Sequence, residues 1–157
     1  MAGHAPAIEV PQAPHAKVAI ISSSWHLDIC NDLIAGAERA LKAAKVKKIS
    51  VKFVPGSFEI PLAAQHAFEK GYDAVVAVGL VLEGETPHFD YVCQGVTQGI
   101  MNLSLAQSKP IGFGVLTVET VTQAIARSGV AGSSEDKGFD ATVAALELLR
   151  VKDSVIG

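Results

Sequence analysis

Charge is scarce in this chain of 157 residues, with Asp, Glu, Lys and Arg together making up only 18% of it. That excludes the self-repelling composition of disordered segments, and the 49% of apolar residues can fill a core. Thirteen basic residues stand against 16 acidic ones, a formal charge of −3. No positive field is available to draw in a phosphate backbone, so nucleic acid is not an expected partner. Cysteine is nearly absent: Cys30 and Cys93 lie far apart with no C-x-x-C or ligand-like spacing, which leaves neither a zinc site nor a redox pair and suits a reducing cytoplasm. The five histidines, at positions 4, 15, 26, 66 and 88, show no H-x-x-x-H or H-E-x-x-H spacing, so metal catalysis has no support. Missing too are a G-x-G-x-x-G after the first strand and a G-x-x-x-x-G-K-[ST], the signatures of nicotinamide and nucleoside-triphosphate chemistry. No run approaches the roughly 18 apolar residues that span a membrane, and the first residues, MAGHAPAIEVPQAPHAK, lack a basic and apolar leader. Neither insertion nor export is expected.

What is there reads as one domain, since a single core serves about 100 to 200 residues. Residues 1–16 carry Pro6, Pro11 and Pro14 among small residues and are expected to form an extended arm, with a short strand around Ile8 to Val10. The domain is expected over 17–157. Short β-branched runs at Val18–Ser23, Ile49–Val54, Ala74–Leu82 and Ile111–Val118 alternate with stretches of helical period at Ile29–Lys45, Phe58–Lys70, Pro87–Gln107, Val121–Arg127 and Lys137–Val151. This is the pattern of an α/β fold, a four-stranded parallel sheet covered by helices on both faces. Apolar residues beyond the needs of such a core favour subunit contacts, so a homo-oligomer is expected.

Open parallel sheets bind ligands beyond the carboxyl ends of their strands, and the unusual residues fall there. Ser24-Trp25-His26 follows the first strand, Pro55-Gly56-Ser57-Phe58-Glu59 the second, and Glu83-Gly84-Glu85-Thr86-Pro87-His88 the third. Thr86 is a good N-cap and Pro87 suits a first helical position, so a helix is expected to start here. Its free N–H groups and dipole form a phosphate site, with Gly84 allowing close approach and Thr86 adding a hydroxyl. His88 lies in the first turn, where the dipole works against protonation and a neutral ring can act as a general acid/base. A lone histidine in such a turn more often packs or caps; the phosphate-ready turn beside it shifts the balance.

Other positions are weighed the same way. Ser57 is a candidate N-cap and Glu59 a first-turn carboxylate, a mixture of donors and acceptors that suits a polyol, although Glu59 alone also fits as a dipole partner. Trp25, the only tryptophan, stands in a loop where it can stack on a flat heterocycle or simply cover the core. Phe113 lies between Gly112 and Gly114, which allows a ligand or another backbone to come close. Arg127 ends a short helix as an anion partner or a dipole complement. Lys137 opens the last helix against the dipole preference, a local mismatch that points to function.

The ordered combination of VPGSFEIP, G-x-T-P-H-F-D-Y, GVLT and a C-terminal D-K-G resembles the 6,7-dimethyl-8-ribityllumazine synthase family over about Lys17 to Arg150. S-S-W-H at 23–26, D-Y-V-C at 90–93 and E-D-K-G at 135–138 resemble its actinobacterial branch. The resemblance implies a flavodoxin-like three-layer α/β/α sandwich and the condensation of a ribityl-aminopyrimidine with 3,4-dihydroxy-2-butanone 4-phosphate, without metal or organic cofactor. It implies that Trp25, Ser57, Phe58, Glu59 and Val81 hold the pyrimidine and its ribityl chain. Gly84, Glu85 and Thr86 bind phosphate, and His88 is the acid/base. Phe113, Arg127 and Lys137 then serve the site of an adjacent subunit, Phe113 and Lys137 on the pyrimidine and ribityl end and Arg127 on the phosphate. A homopentamer is favoured over the icosahedral capsid that some members build, and an association with riboflavin synthase stays open. So does a non-catalytic flavin- or lumazine-binding or shell-forming relative, which has no need of His88. Where family members commonly carry R-G-A-T or R-G-Q-T, this chain has Glu83-Gly84-Glu85-Thr86, two carboxylates that repel an anion.

Overall fold

The computed structural model describes residues 6–156. The strands are β1 (Lys17–Ser23), β2 (Lys48–Val54), β3 (Ala74–Leu82) and β4 (Ile111–Val118), and they form one parallel sheet in the order β2-β1-β3-β4. The helices are α1 (Leu27–Ala43), α2 (Ile60–Glu69), α3 (His88–Gln107), α4 (Val121–Ile125) and α5 (Lys137–Ile156). Because side chains alternate across a strand, β3 supplies both halves of the core. Val76, Val78 and Leu80 join Leu33 and Leu41 of α1 and Leu146 of α5 on one face. Val75, Ala77 and Val81 join Ile60, Ala64 and Phe68 of α2 and Val96, Ile100 and Leu103 of α3 on the other. The result is the flavodoxin-like three-layer sandwich. β1 leads outward to β2 and β3 outward to β4, so the strand order reverses between β1 and β3, the switch point at which such sheets open a crevice.

Glycines set the closest approaches. A Cβ at Gly138 in α5 would lie 2.0 Å from the Leu33 carbonyl oxygen of α1, and one at Gly112 in β4 would lie 2.3 Å from the Ala141 carbonyl oxygen of α5. Gly112 therefore admits the α5 backbone on the face opposite Phe113, because successive strand residues face opposite sides, and a Cβ at Gly114 on that same face would meet the Ala77 carbonyl oxygen of β3 at 3.0 Å and the Ala141 Cβ of α5 at 3.3 Å. On the other layer Gly95 and Gly99 of α3 receive Phe58 and Pro61.

Element ends depart from the sequence expectations for local reasons. Ile8–Val10 is not a strand: these residues pair with none, and Val10, Ala13 and Ala16 instead pack on the α1 side of the core. The Ala13 N–H donates to the Ala44 carbonyl at 2.9 Å and Gln12 Nε2 to that of Ala43 at 3.0 Å, tying this stretch to the end of α1. Residues 1–5 of the expected arm lie outside the described residues. Phe58 falls in a 3-10 turn, Ser57–Glu59, and α2 starts only at Ile60, with Pro61 in its first turn. α3 begins at His88 with Pro87, not Thr86, at the cap. α5 continues past Val151 because no Gly or Pro interrupts it before Gly157.

Leu33 is fully buried where α1 meets the sheet. Leu33→Ala is expected to cost about 2 to 5 kcal/mol, a fall in Tm of roughly 5 to 15 °C for a domain of this size, measurable by calorimetry.

Candidate active site

The loops after β1, β2 and β3 enclose a cavity of about 760 Å³ at the switch point. Its wall brings together Trp25, Ser57, Phe58, Glu59, Val81, Gly84 and His88, residues from three loops and from the edge of β3. The local architecture explains the convergence. Ser23 and Ser57 are buried at the head of the strands. The Ser23 hydroxyl accepts from the Leu80 N–H at 3.3 Å, and the Ser57 hydroxyl donates to the Leu80 carbonyl at 3.4 Å. Ser57 is thus the first residue of the 3-10 turn, with Gly56 at its cap, and its hydroxyl faces β3 rather than capping a helix. A Cβ at Gly79 would lie 2.4 Å from the Ser23 hydroxyl, so glycine leaves room for this pair.

Trp25 is 67% exposed over the cavity mouth. The core-lid alternative does not describe a side chain so open to solvent. Its carbonyl accepts from the buried Cys30 thiol at 3.1 Å, and His26 beside it takes a left-handed backbone conformation (φ 54°) at the start of α1. Glu59 Oε2 accepts from the Gly56 N–H at 2.8 Å, which secures the turn and leaves Oε1 for a ligand. A Cβ at Gly56 would sit 3.1 Å from that Glu59 oxygen and 3.5 Å from the Trp25 indole nitrogen, so the indole and the carboxylate flank one glycine.

On the opposite wall His88 opens α3, and Tyr91 and Val92 follow on the same helix face into the cavity. The Thr86 hydroxyl accepts a long bond of 3.4 Å from the His88 N–H. Among the described residues the N–H groups of Gly84, Glu85, Thr86 and Phe89 have no partner within the chain, and the whole turn from Glu83 to His88 is exposed. These are donors suited to an anion at a helix start. No Lys or Arg is among the residues that line this cavity.

Glu85 and Thr86 lie on the exposed turn and are not in the wall of this pocket, and Phe113, Arg127 and Lys137 are not brought into it. Phe113 is half exposed on the edge strand β4. Arg127 lines a second cavity of about 490 Å³ with Glu83, Asp90, Cys93 and Gln123. Arg127 Nε and Lys137 Nζ both approach Glu135 Oε2, at 3.7 and 3.5 Å. The dipole mismatch at Lys137 is therefore offset locally by Glu135. No group of three or more His, Cys, Asp or Glu that could hold a metal occurs among the described residues, and no helix among them is long and apolar enough to cross a membrane.

The family profile described as 6,7-dimethyl-8-ribityllumazine synthase matches residues 15–153. The chain belongs to that family. It is 49% identical over 142 residues to the 6,7-dimethyl-8-ribityllumazine synthase of Streptomyces coelicolor, covering 90% of this chain and 88% of that one. Identity to the Nocardioides enzyme of the same name is 48% over 147 residues, 93% and 91% of the two chains. The Leifsonia xyli enzyme of that name is 50% identical over 130 residues, 83% and 82% of the two. These relatives accord with the actinobacterial variants read in the motifs.

Sequence reading missed Ser23, Cys30 and Gly79, which hold the rim without touching its opening. Tyr91 and Val92 were within reach of it, because their i+3 and i+4 spacing from His88 puts all three on one helix face. Burial and the neighbouring Asp90 carboxylate push the Cys93 thiol above its usual range. A raised pKa means less thiolate, so alkylation near pH 8 should run slower than for a free model thiol. Asp90→Asn should speed it, burial remaining the larger cause of the shift, while Cys30, fully buried, stays silent; the rate of iodoacetamide alkylation followed by mass spectrometry reads both.

Proposed function

We propose that the cavity at the switch point is where this lumazine synthase joins its two substrates, 5-amino-6-ribitylamino-pyrimidinedione and 3,4-dihydroxy-2-butanone 4-phosphate. The observation that carries this reading is one rim on which an exposed indole and the Glu59 carboxylate face an imidazole beside unpaired amides. The pyrimidine stacks on Trp25 against Val81, a contact worth on the order of 1 to 3 kcal/mol by analogy with base stacking. Ser57, Phe58 and Glu59 flank the ribityl chain, with Glu59 Oε1 accepting from its hydroxyls. The phosphate sits on the turn of Gly84, Glu85 and Thr86. The free amine attacks the ketone and expels water to give an imine, inorganic phosphate leaves, and ring closure with further loss of water yields the lumazine. His88 moves protons among the amine, the carbonyl oxygen and the leaving group, a contribution on the order of 10²- to 10⁴-fold. Holding both substrates together supplies up to about 7 to 11 kcal/mol of the remaining acceleration.

A cavity without Lys or Arg is an incomplete site for a phosphate ester, and Glu83 and Glu85 make it more so. Arg127 of an adjacent subunit completes it, with Phe113 and Lys137 of the same subunit at the pyrimidine and ribityl end. The working unit is then a cytoplasmic homo-oligomer, a pentamer in preference to a capsid, and an associated riboflavin synthase would consume its product.

With both substrates, the purified protein should develop the absorption and fluorescence of the lumazine, and His88→Ala should lower kcat about 10²-fold or more. Unchanged turnover in that variant removes the histidine from the chemistry. Glu85→Gln should lower the KM for the sugar phosphate; an equal or higher value means that the carboxylate does not repel the ester. Assemblies mixing His88→Ala with Arg127→Ala subunits should regain activity that neither variant has alone, because one interface in a mixed ring then carries both native halves. Absence of any gain argues for sites built within single subunits.

A further inference from the structure

The loop between α4 and α5 is built around one carboxylate. The Lys137 N–H donates to the Arg127 carbonyl at 3.0 Å, so two cationic residues distant in sequence are backbone partners. Inside that closure the Glu135 N–H donates to the Ala126 carbonyl and the Glu135 carbonyl accepts from the Gly129 N–H, both at 3.0 Å. Gly129 takes a positive φ of 82°, which favours glycine. Asp136 secures the base of the loop, accepting the Phe139 N–H at the start of α5 and pairing with Arg39 of α1. The side chain of Glu135 is thereby aimed between Arg127 and Lys137.

Two like charges held this close repel each other, and each long side chain has many rotamers. Glu135 Oε2 lies 3.7 Å from Arg127 Nε and 3.5 Å from Lys137 Nζ. Arg127 Nη1 also donates to the Gln123 carbonyl at 2.9 Å. One Nη1 hydrogen is so bonded and Nε approaches Glu135 only at ion-pair distance, so Nη2 and the second Nη1 hydrogen are donors without a partner among the described residues, a fork that fits an oxyanion.

We infer that Glu135 is a positioning residue that holds Arg127 and Lys137 in one arrangement and presents both cations together to the substrates bound in the adjacent subunit. This rests on the shared-site reading above, in which Arg127 is assigned to the phosphate ester and Lys137 to the pyrimidine and ribityl end. One carboxylate then prepares both halves of the site. It touches neither substrate. Its three partly exposed groups add little to fold stability, so the loss should be read in substrate affinity and not in Tm.

The test uses the full chain in its native assembly. Glu135→Gln keeps size and hydrogen-bonding capacity but removes the charge. It should raise the KM for both substrates about three- to tenfold, with kcat within about twofold and Tm and light scattering unchanged. Glu135→Asp should restore part of the loss. Unchanged Michaelis constants overturn the inference, as does a fall in kcat alone. A lower KM for the sugar phosphate overturns it as well, since the carboxylate would then be competing with phosphate for Arg127. Arg127→Ala and Lys137→Ala separate the two levels of the argument. If these raise the Michaelis constants and Glu135→Gln does not, the positioning role alone fails. If none of the three has an effect, the shared-site reading fails, and the role of Glu135 with it.

Discussion

At the head of β3 the backbone of Leu80 is held from both sides, its N–H by the Ser23 hydroxyl and its carbonyl by that of Ser57. Both serines are buried, and a buried hydroxyl left without a partner costs about 1 to 3 kcal/mol. The pair can form only because Gly79 has no side chain to displace the Ser23 hydroxyl. The bracket joins the ends of β1, β2 and β3, and every loop of the rim grows out of it. Trp25 stands two residues beyond Ser23, Glu59 two beyond Ser57, and Gly84 four beyond Leu80. A slip at this junction would move indole, carboxylate and phosphate turn relative to one another.

The remaining geometry follows from layers that have little freedom to move. Gly138 lets α5 rest on the backbone of α1, while Gly95 and Gly99 let Phe58 and Pro61 rest on α3. Such contacts are of backbone or ring against backbone, and close-packed interiors transmit small changes rather than absorb them. The cavity rim is therefore made from loops, yet each loop is short and anchored at both ends. That arrangement suits a reaction whose acceleration comes chiefly from holding two substrates in register.

Electrostatics divides the site in two. The cavity wall carries the carboxylates of Glu59 and Glu83 and the imidazoles of His26 and His88 but no Lys or Arg, whereas Arg127 and Lys137 gather around Glu135 outside it. Neither half is a complete phosphate-ester site. The division is what the proposed sharing of sites between subunits would join, and exposed Phe113, Met101 and Leu105 offer apolar surface for such contacts.

Much was legible in the residues before any coordinates. The alternation of β-branched runs with helical periods determined the α/β class, and the four motifs in order determined the family. Trp25, Glu59 and His88 each have an ordinary structural role open to them, as core cover, dipole partner and cap, and stood out only because three loops bring them to the same end of the sheet. Helix starts were less secure: Thr86 and Ser57 look like caps, but Pro87 and Gly56 take those places, because cap geometry depends on where the chain turns and not on residue type alone. Only the tertiary structure decided that Ile8–Val10 pairs with no strand among the described residues of this chain, that Gly112 makes room for α5 and not for Phe113, and that Glu135 lies between Arg127 and Lys137. Periodicity is written locally, one residue after another, whereas contacts between distant segments depend on the packing of the whole chain.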